Sequence, residues 1–148
     1  MWNMKKGFIA LCLVGLALGV GSCKQKNQCT AEDENAEVVT TRLTPAEFEK
    51  VIKDTVGVVL LDVRTDEEYQ NGHIANAMHI NFRTDAFIND CLKQLPRDKK
   101  IAVYCRSGFC SHSAAKLLKE NGFDVVDMIG GYSDWVKSKD SQKQDCCK

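Results

Sequence analysis

An excess of charge of either sign is missing from this chain: 20 Lys and Arg residues balance 20 Asp and Glu. No basic stripe interleaved with aromatics appears either, so nucleic-acid binding has little support. Paired C-x-x-C motifs are absent although the chain has eight cysteines, which argues against a structural zinc site. No metal or other cofactor is called for. No internal repeat is present, and the one long apolar run, Gly7 to Val20, is too short to span a bilayer comfortably. The cysteines divide unevenly. Cys12 and Cys23 lie in or just after that run, Cys29 in a polar stretch, and Cys146 and Cys147 on a polar tail. Only Cys91, Cys105 and Cys110 remain where a core can form, too few for a disulfide-stapled scaffold.

The two ends speak to location. Lys5 and Lys6 precede the apolar run, and small residues lead from it into Cys23, a pattern that describes an export signal. The ending Val20-Gly21-Ser22-Cys23 resembles the lipobox of bacterial lipoproteins. That resemblance implies that Cys23 becomes the first residue of the mature chain and carries the lipid. Acyl chains on one Cys would tether the protein without a transmembrane helix, placing the folded part in the bacterial cell envelope, outside the cytoplasm. An uncleaved anchor and a soluble secretory signal with an incidental Cys are the alternatives. The expected organisation is a lipoprotein signal peptide over 1–22, a flexible polar tether over 23–41, one domain over 42–139 and a polar Cys-containing tail over 140–148. Cys146 and Cys147 could exchange thiols or bind a soft metal, and Cys29 could pair with one of them; an incidental tail is the default reading.

Within the domain, Thr44-Pro45-Ala46-Glu47 is a helix start, with Phe48, Val51 and Ile52 following at helical spacing. The continuous apolar run from Gly57 to Val63 reads as a strand buried on both faces of a parallel sheet. Asp66 to Tyr69 reads as a short helix, Ala77 to Ile80 as a brief strand, and Thr84 to Leu95 as an amphipathic helix ended by Pro96. A strand over Ile101 to Tyr104, a helix over Ser111 to Glu120, a strand over Asp124 to Met128 and a last short helix carrying Trp135 complete the pattern. Strands alternating with helices imply an α/β fold: a central parallel sheet of about five strands with helices on both faces. The functional cleft of such a sheet lies beyond the carboxyl ends of its strands.

One segment sits at such an end: Cys105-Arg106-Ser107-Gly108-Phe109-Cys110, between the strand and the helix. A strand that turns through Gly into a helix gathers amide N–H groups around one point and favours negative charge there. A cysteine at that point is expected to favour its thiolate form and to be reactive. As thiolate, Cys105 would attack the outer sulfur of a donor and displace a stable anion. The backbone N–H groups from Arg106 to Ser111, a run that includes Phe109, would stabilise first the thiolate and then the anionic persulfide. Gly108 lets the backbone turn where a Cβ would obstruct. Arg106 could orient an anionic donor or point to solvent; Ser107 and Ser111 could donate hydroxyl hydrogen bonds, and Ser111 could equally be only a helix cap. Cys110 is a second thiol on the loop, readable as a resolving cysteine or as packing. His112 would add positive charge only if protonated.

Taken in order, Leu61-Asp62-Val63-Arg64, Glu68-Tyr69, Gly72-His73-Ile74 with Ala77, the Cys105 loop, and Gly130-Gly131 with Trp135 resemble a rhodanese-like domain. The resemblance implies a rhodanese-like α/β fold and a sulfurtransferase in which Cys105 accepts sulfane sulfur. Small sulfur donors such as thiosulfate or a persulfide would supply it, and a thiol or cyanide would take it away. It also implies a loop ending in Arg, where this chain has Cys110, and Gly where it has Asn76, the residue that best tolerates a left-handed turn in its place. Asp62, Arg64 and His73 are expected to be structural, and Trp135 to be core. Phosphatases and arsenate reductases sharing this fold use Cys-x5-Arg; counting from Cys105 that position is Ser111, so phosphatase activity is not expected. Two other readings stand beside sulfur transfer. One is a thiol–disulfide or persulfide reductase using Cys105 and Cys110, and the other a non-enzymatic membrane-tethered binding module on the same fold.

Overall fold

Apolar runs of four or five residues alternate with helices along most of the chain, and the three-dimensional structure follows that alternation. It is a computed structural model that describes residues 38–145; the expected signal peptide, Cys23, Cys29, Cys146 and Cys147 lie outside the described residues. Chain order is β1 (Thr41–Leu43), α1 (Pro45–Ile52), β2 (Val58–Asp62), α2 (Asp66–Gln70), β3 (Met78–His79), α3 (Phe87–Gln94), β4 (Lys100–Tyr104), α4 (Phe109–Glu120), β5 (Asp124–Met128) and α5 (Gly131–Asp145). The five strands form one sheet in the order β1-β5-β4-β2-β3, every pair parallel. The expected architecture is therefore present, with β4 at the centre.

Alternation along the strands divides the core in two. Leu61, Ile101, Val103 and Val125 face Phe87 and Cys91 of α3 and Ala114, Ala115 and Leu118 of α4. Leu60, Ala102, Tyr104, Val126 and Met128 face the opposite side, against Phe48 of α1 and Tyr132 and Trp135 of α5. Burial on both faces is why these strands read as unbroken apolar runs. Helix α1 starts with the expected capping box, Thr44 with Glu47, and α2 has a second one, Thr65 with Glu68. Arg64 ties three segments together. It donates to Asp62 at 2.6 Å and to the Gly72 carbonyl at 2.7 Å, and its guanidinium lies 4.2 Å from the Tyr132 ring. Burial opposes the Arg64 charge, but the Asp62 hydrogen bond and charge raise its pKa overall. Asp62 and Arg64 thus hold β2 to the Gly72 turn and to α5, and His73 stacks on Tyr69.

Most boundaries shift by a residue or two and α3 starts at Phe87 rather than Thr84; three other differences have a clear cause. Residue 41, placed with the tether for its polarity, belongs to β1, whose three residues pair with Val126 to Met128 of β5. Three residues of mixed polarity carry no period, so the strand exists only through its partner. Residues 140–145, read as tail, continue α5, which was expected to be short. Helix α4 starts at Phe109 rather than Ser111, because Gly108 in the left-handed region (φ 84°) turns the chain directly into it.

Candidate functional site

Cys105 is the first residue beyond β4. Three residues later, the Gly108 N–H points back and donates to the Cys105 Sγ at 3.2 Å. Helix α4 has no side-chain cap at its N-terminus. The sulfur therefore accepts the Gly108 amide and lies beside the uncapped N-terminus of a twelve-residue helix, whose positive dipole end favours negative charge.

The outer side of the loop is held by α5. The Tyr132 N–H donates to the Cys105 carbonyl at 2.8 Å and the Ser133 N–H to the Arg106 carbonyl at 3.0 Å. First-turn amides of one helix thereby draw two loop carbonyls away from the sulfur. This close approach needs glycine: a Cβ on Gly131 would lie 2.5 Å from the Cys105 carbonyl oxygen, and one on Gly108 would lie 2.9 Å from the Gly130 nitrogen. The Gly130-Gly131 pair is thus a seat for the Cys105 loop.

In front of the loop is a cavity of about 160 Å³. Val63, Phe82, Cys105 and Cys110 line it together with Arg64, Thr65, Glu68, Arg83, Arg106 and Ser107. Cys105 reaches it while only 4 % exposed. Arg106 stands at the mouth, its guanidinium 3.7 Å from Glu68, an exposed pairing that contributes little and leaves the cation available. No carboxylate pairs with Arg83 among the described residues. A larger cavity of about 250 Å³ against β2 and β3 is lined mainly by apolar side chains with Thr55 and Asn76, and has no nucleophile.

The structure places the remaining expected residues as follows. Arg106, Ser107 and Cys110 share the cavity with Cys105; Phe109 is half exposed and does not line it. The Ser111 hydroxyl is turned away from the sulfur, donating to Asp127 at 2.6 Å, so it is neither a sulfur ligand nor a cap. Cys110 is disulfide-bonded, while Cys91 and Cys105 are free thiols, so Cys105 and Cys110 are not joined to each other. His112 does not line the cavity. Burial, then the nearby Arg42 charge, lowers its pKa against the pull of Asp127, so it supplies no cation at neutral pH.

Two residues behind the cavity wall were not anticipated: Asp127, near the end of β5, and Arg42, beside it on β1. Asp127 is fully buried and accepts from Ser111 and, at 3.0 Å, from Arg42 Nε. Burial raises its pKa in spite of those hydrogen bonds. A carboxylate interrupting the run Val125-Val126-Asp127-Met128 was the available signal; Arg42 offered none. Arg83 also lines the cavity without a motif to mark it. Among the described residues no group of His, Cys, Asp and Glu is arranged to hold a metal ion.

Comparison with known proteins gives consistent matches. A family model described as a rhodanese-like domain matches residues 44–138. Thiosulfate sulfurtransferase GlpE of Coxiella burnetii is 37% identical over 79 residues, which cover 53% of this chain and 71% of that protein. A tRNA uridine(34) hydroxylase of Staphylococcus aureus is 33% identical over 106 residues, covering 69% of this chain but 33% of its own length. Among solved structures, a rhodanese-like domain protein from Staphylococcus aureus matches with a TM-score of 0.57 at 31% identity, covering 65% of this chain and 91% of that one. A rhodanese-related protein from Thermoplasma volcanium matches with a TM-score of 0.55 at 32% identity, covering 66% and 92%.

Proposed function

The chain belongs to the rhodanese-like domain family, and on that premise we propose that it is a sulfurtransferase carrying sulfane sulfur as a persulfide on Cys105. The observation that carries this reading is the Gly108 N–H aimed at the Cys105 Sγ from the start of α4, at the wall of an open cavity. In the first step the Cys105 thiolate attacks the outer sulfur of a donor. With thiosulfate, the sulfur–sulfur bond of the donor breaks, sulfite leaves with the bonding electron pair, and Cys105 becomes a persulfide anion. In the second step an acceptor thiolate or cyanide attacks the outer persulfide sulfur and the Cys105 thiolate is regenerated. No net oxidation occurs and no cofactor is required. The amides at the head of α4 favour the negative sulfur in both states, while Arg83 and Arg106 favour an anionic donor in the cavity.

GlpE, named a thiosulfate sulfurtransferase, supports the same chemistry. The hydroxylase relatives extend far beyond the shared segment, and their reaction is not carried over. The lipobox-like Cys23 supports lipid anchoring at the bacterial cell envelope; incorporation of labelled palmitate, lost in Cys23→Ala, would establish it.

The test is intact mass after exposure of the reduced protein to thiosulfate or a polysulfide. One sulfur atom should be gained, on Cys105, and Cys105→Ser should gain none. Failure of every donor to add sulfur would overturn the proposal. A second reading, a persulfide reductase, is favoured by Cys110 sharing the cavity. After its own disulfide has been reduced, Cys110 would attack the inner persulfide sulfur, expel sulfide and leave a Cys105–Cys110 disulfide for an external thiol to reduce. In that case Cys110→Ser should still load sulfur but release no sulfide; unchanged turnover in this variant would eliminate the second reading.

A further inference from the structure

We propose that Arg42, clamped by Asp127, is a positioning residue of the sulfur-carrying loop, holding and polarising the Gly108–Phe109 peptide from behind. The inference rests on Cys105 being the sulfur carrier. Arg42 and Asp127 are direct partners in the register of β1 and β5, so their side chains start as neighbours. The guanidinium makes two different bonds: Nε donates to Asp127 Oδ2 at 3.0 Å, and Nη2 donates to the Gly108 carbonyl at 3.2 Å. The other Asp127 oxygen takes the Ser111 hydroxyl at 2.6 Å. One buried carboxylate therefore pins both Gly108, through Arg42, and Ser111 in the first turn of α4.

The consequence follows from peptide geometry. In a planar trans peptide the carbonyl oxygen and the next N–H point to opposite sides. With the Gly108 oxygen directed at Arg42, the Phe109 N–H is directed away from it. A cation bonded to the carbonyl also withdraws electron density through the peptide and makes that N–H a stronger donor. The preceding amide, Gly108 N–H, is the one that faces the Cys105 sulfur. The cavity's cations, Arg83 and Arg106, stand in front of the loop, whereas Arg42 is absent from the cavity wall and acts through the backbone. Its reach to two acceptors uses the fork of a guanidinium; a lysine ammonium, a single point charge, matches one of them. The other ionisable groups around this pair are His112 and Lys116 of α4, with His112 Nδ1 3.7 Å from Asp127.

The test uses the full chain under reductant, comparing wild type with Arg42→Lys and Arg42→Gln. The readouts are the pH profile of Cys105 alkylation by iodoacetamide, resolved by peptide mass spectrometry, and kcat and KM for sulfur transfer from thiosulfate. In Arg42→Gln the alkylation profile should move to higher pH. Alkylation at neutral pH and kcat should each fall roughly fivefold, the size of one ordinary net hydrogen bond, with KM changing less. Arg42→Lys should move the profile in the same direction by a smaller step. If the profiles of the folded variants coincide with wild type while only their unfolding midpoints fall, Arg42 is structural and the proposal is overturned. Should Arg42→Gln not fold, the Arg42→Lys profile decides alone. Alkylation needs no sulfur donor, so a wild type that takes no sulfur would defeat the sulfurtransferase reading and leave this result intact.

Discussion

Asp127 is a carboxylate in a place that strand alternation reserves for apolar side chains, and its burial has a consequence for pH. Burial raises its pKa in the folded protein above the unfolded value of about 3.9. Between those two values the native state holds a proton that the unfolded chain has released. Its contribution to stability is therefore complete below about pH 4 and is lost as pH rises through the window, with a slope of at most ~1.4 kcal/mol per pH unit. His112 beside it acts in the opposite sense: burial lowers its pKa, so its contribution grows as pH rises toward about 6.5. Urea unfolding of Asp127 and Asp127→Asn proteins, both carrying His112→Gln, isolates the carboxylate. The stability of the Asp127 protein relative to Asp127→Asn should decline from about pH 4 upward; a difference that is flat or rises with pH would refute the assignment. At this scale Cys105 was legible because strand, glycine and helix signals flank it within ten residues. Arg42 was not, since its partner is 85 positions away and only sheet pairing brings the two together.

The junction between the Cys105 loop and the start of α5 depends on Gly131. Its φ is +57°, and a Cβ would meet the Cys105 carbonyl oxygen at 2.5 Å and the Arg106 carbonyl carbon at 2.8 Å. Those neighbours are backbone and cannot swing aside. Gly131→Ala should cost on the order of 1–3 kcal/mol of stability and, by pushing the loop off its two α5 amides, should also reduce sulfur transfer. Gly122→Ala is the matched control. Its φ is +84°, but its Cβ would meet only the end of the Arg97 side chain at 3.2 Å, far along the chain from the loop. It should lose about 1 kcal/mol and keep its transfer rate. Equal loss of activity in both variants, measured by thiosulfate turnover and thermal unfolding, would remove the special role of the α5 junction. Element existence was readable where the period was sustained, as in β2, β4 and α4. Strand β1 and the polar second half of α5 were not, because neither carries a hydrophobic pattern of its own.

For the whole molecule, the order of strands and helices implied a parallel sheet, and the sheet implied two separate apolar layers, one on each side. The α3–α4 layer encloses a natural probe of how that assembly opens. Cys91 is fully buried among its side chains, and burial, aided by the Asp90 charge, pushes its pKa up to about 12. Cys105 belongs to the same layer by alternation, yet it alone of these two free thiols lines the cavity. One core thus holds a thiol sealed among side chains and another at a cavity wall, beside the Gly108 amide. Under reductant the native protein should alkylate at Cys105 before Cys91. Cys91 has to wait for the sheet and its covering helices to separate, an opening whose free energy approaches that of global unfolding. With a stability of even ~5 kcal/mol, Cys91 should react at least about a thousandfold more slowly than Cys105. Low urea concentrations should accelerate Cys91 with the full denaturant slope of unfolding, because the surface exposed is that of the whole domain. Fraying of α3 alone would give a much shallower slope, and a Cys91 rate independent of urea would mean that this layer opens without the rest of the fold.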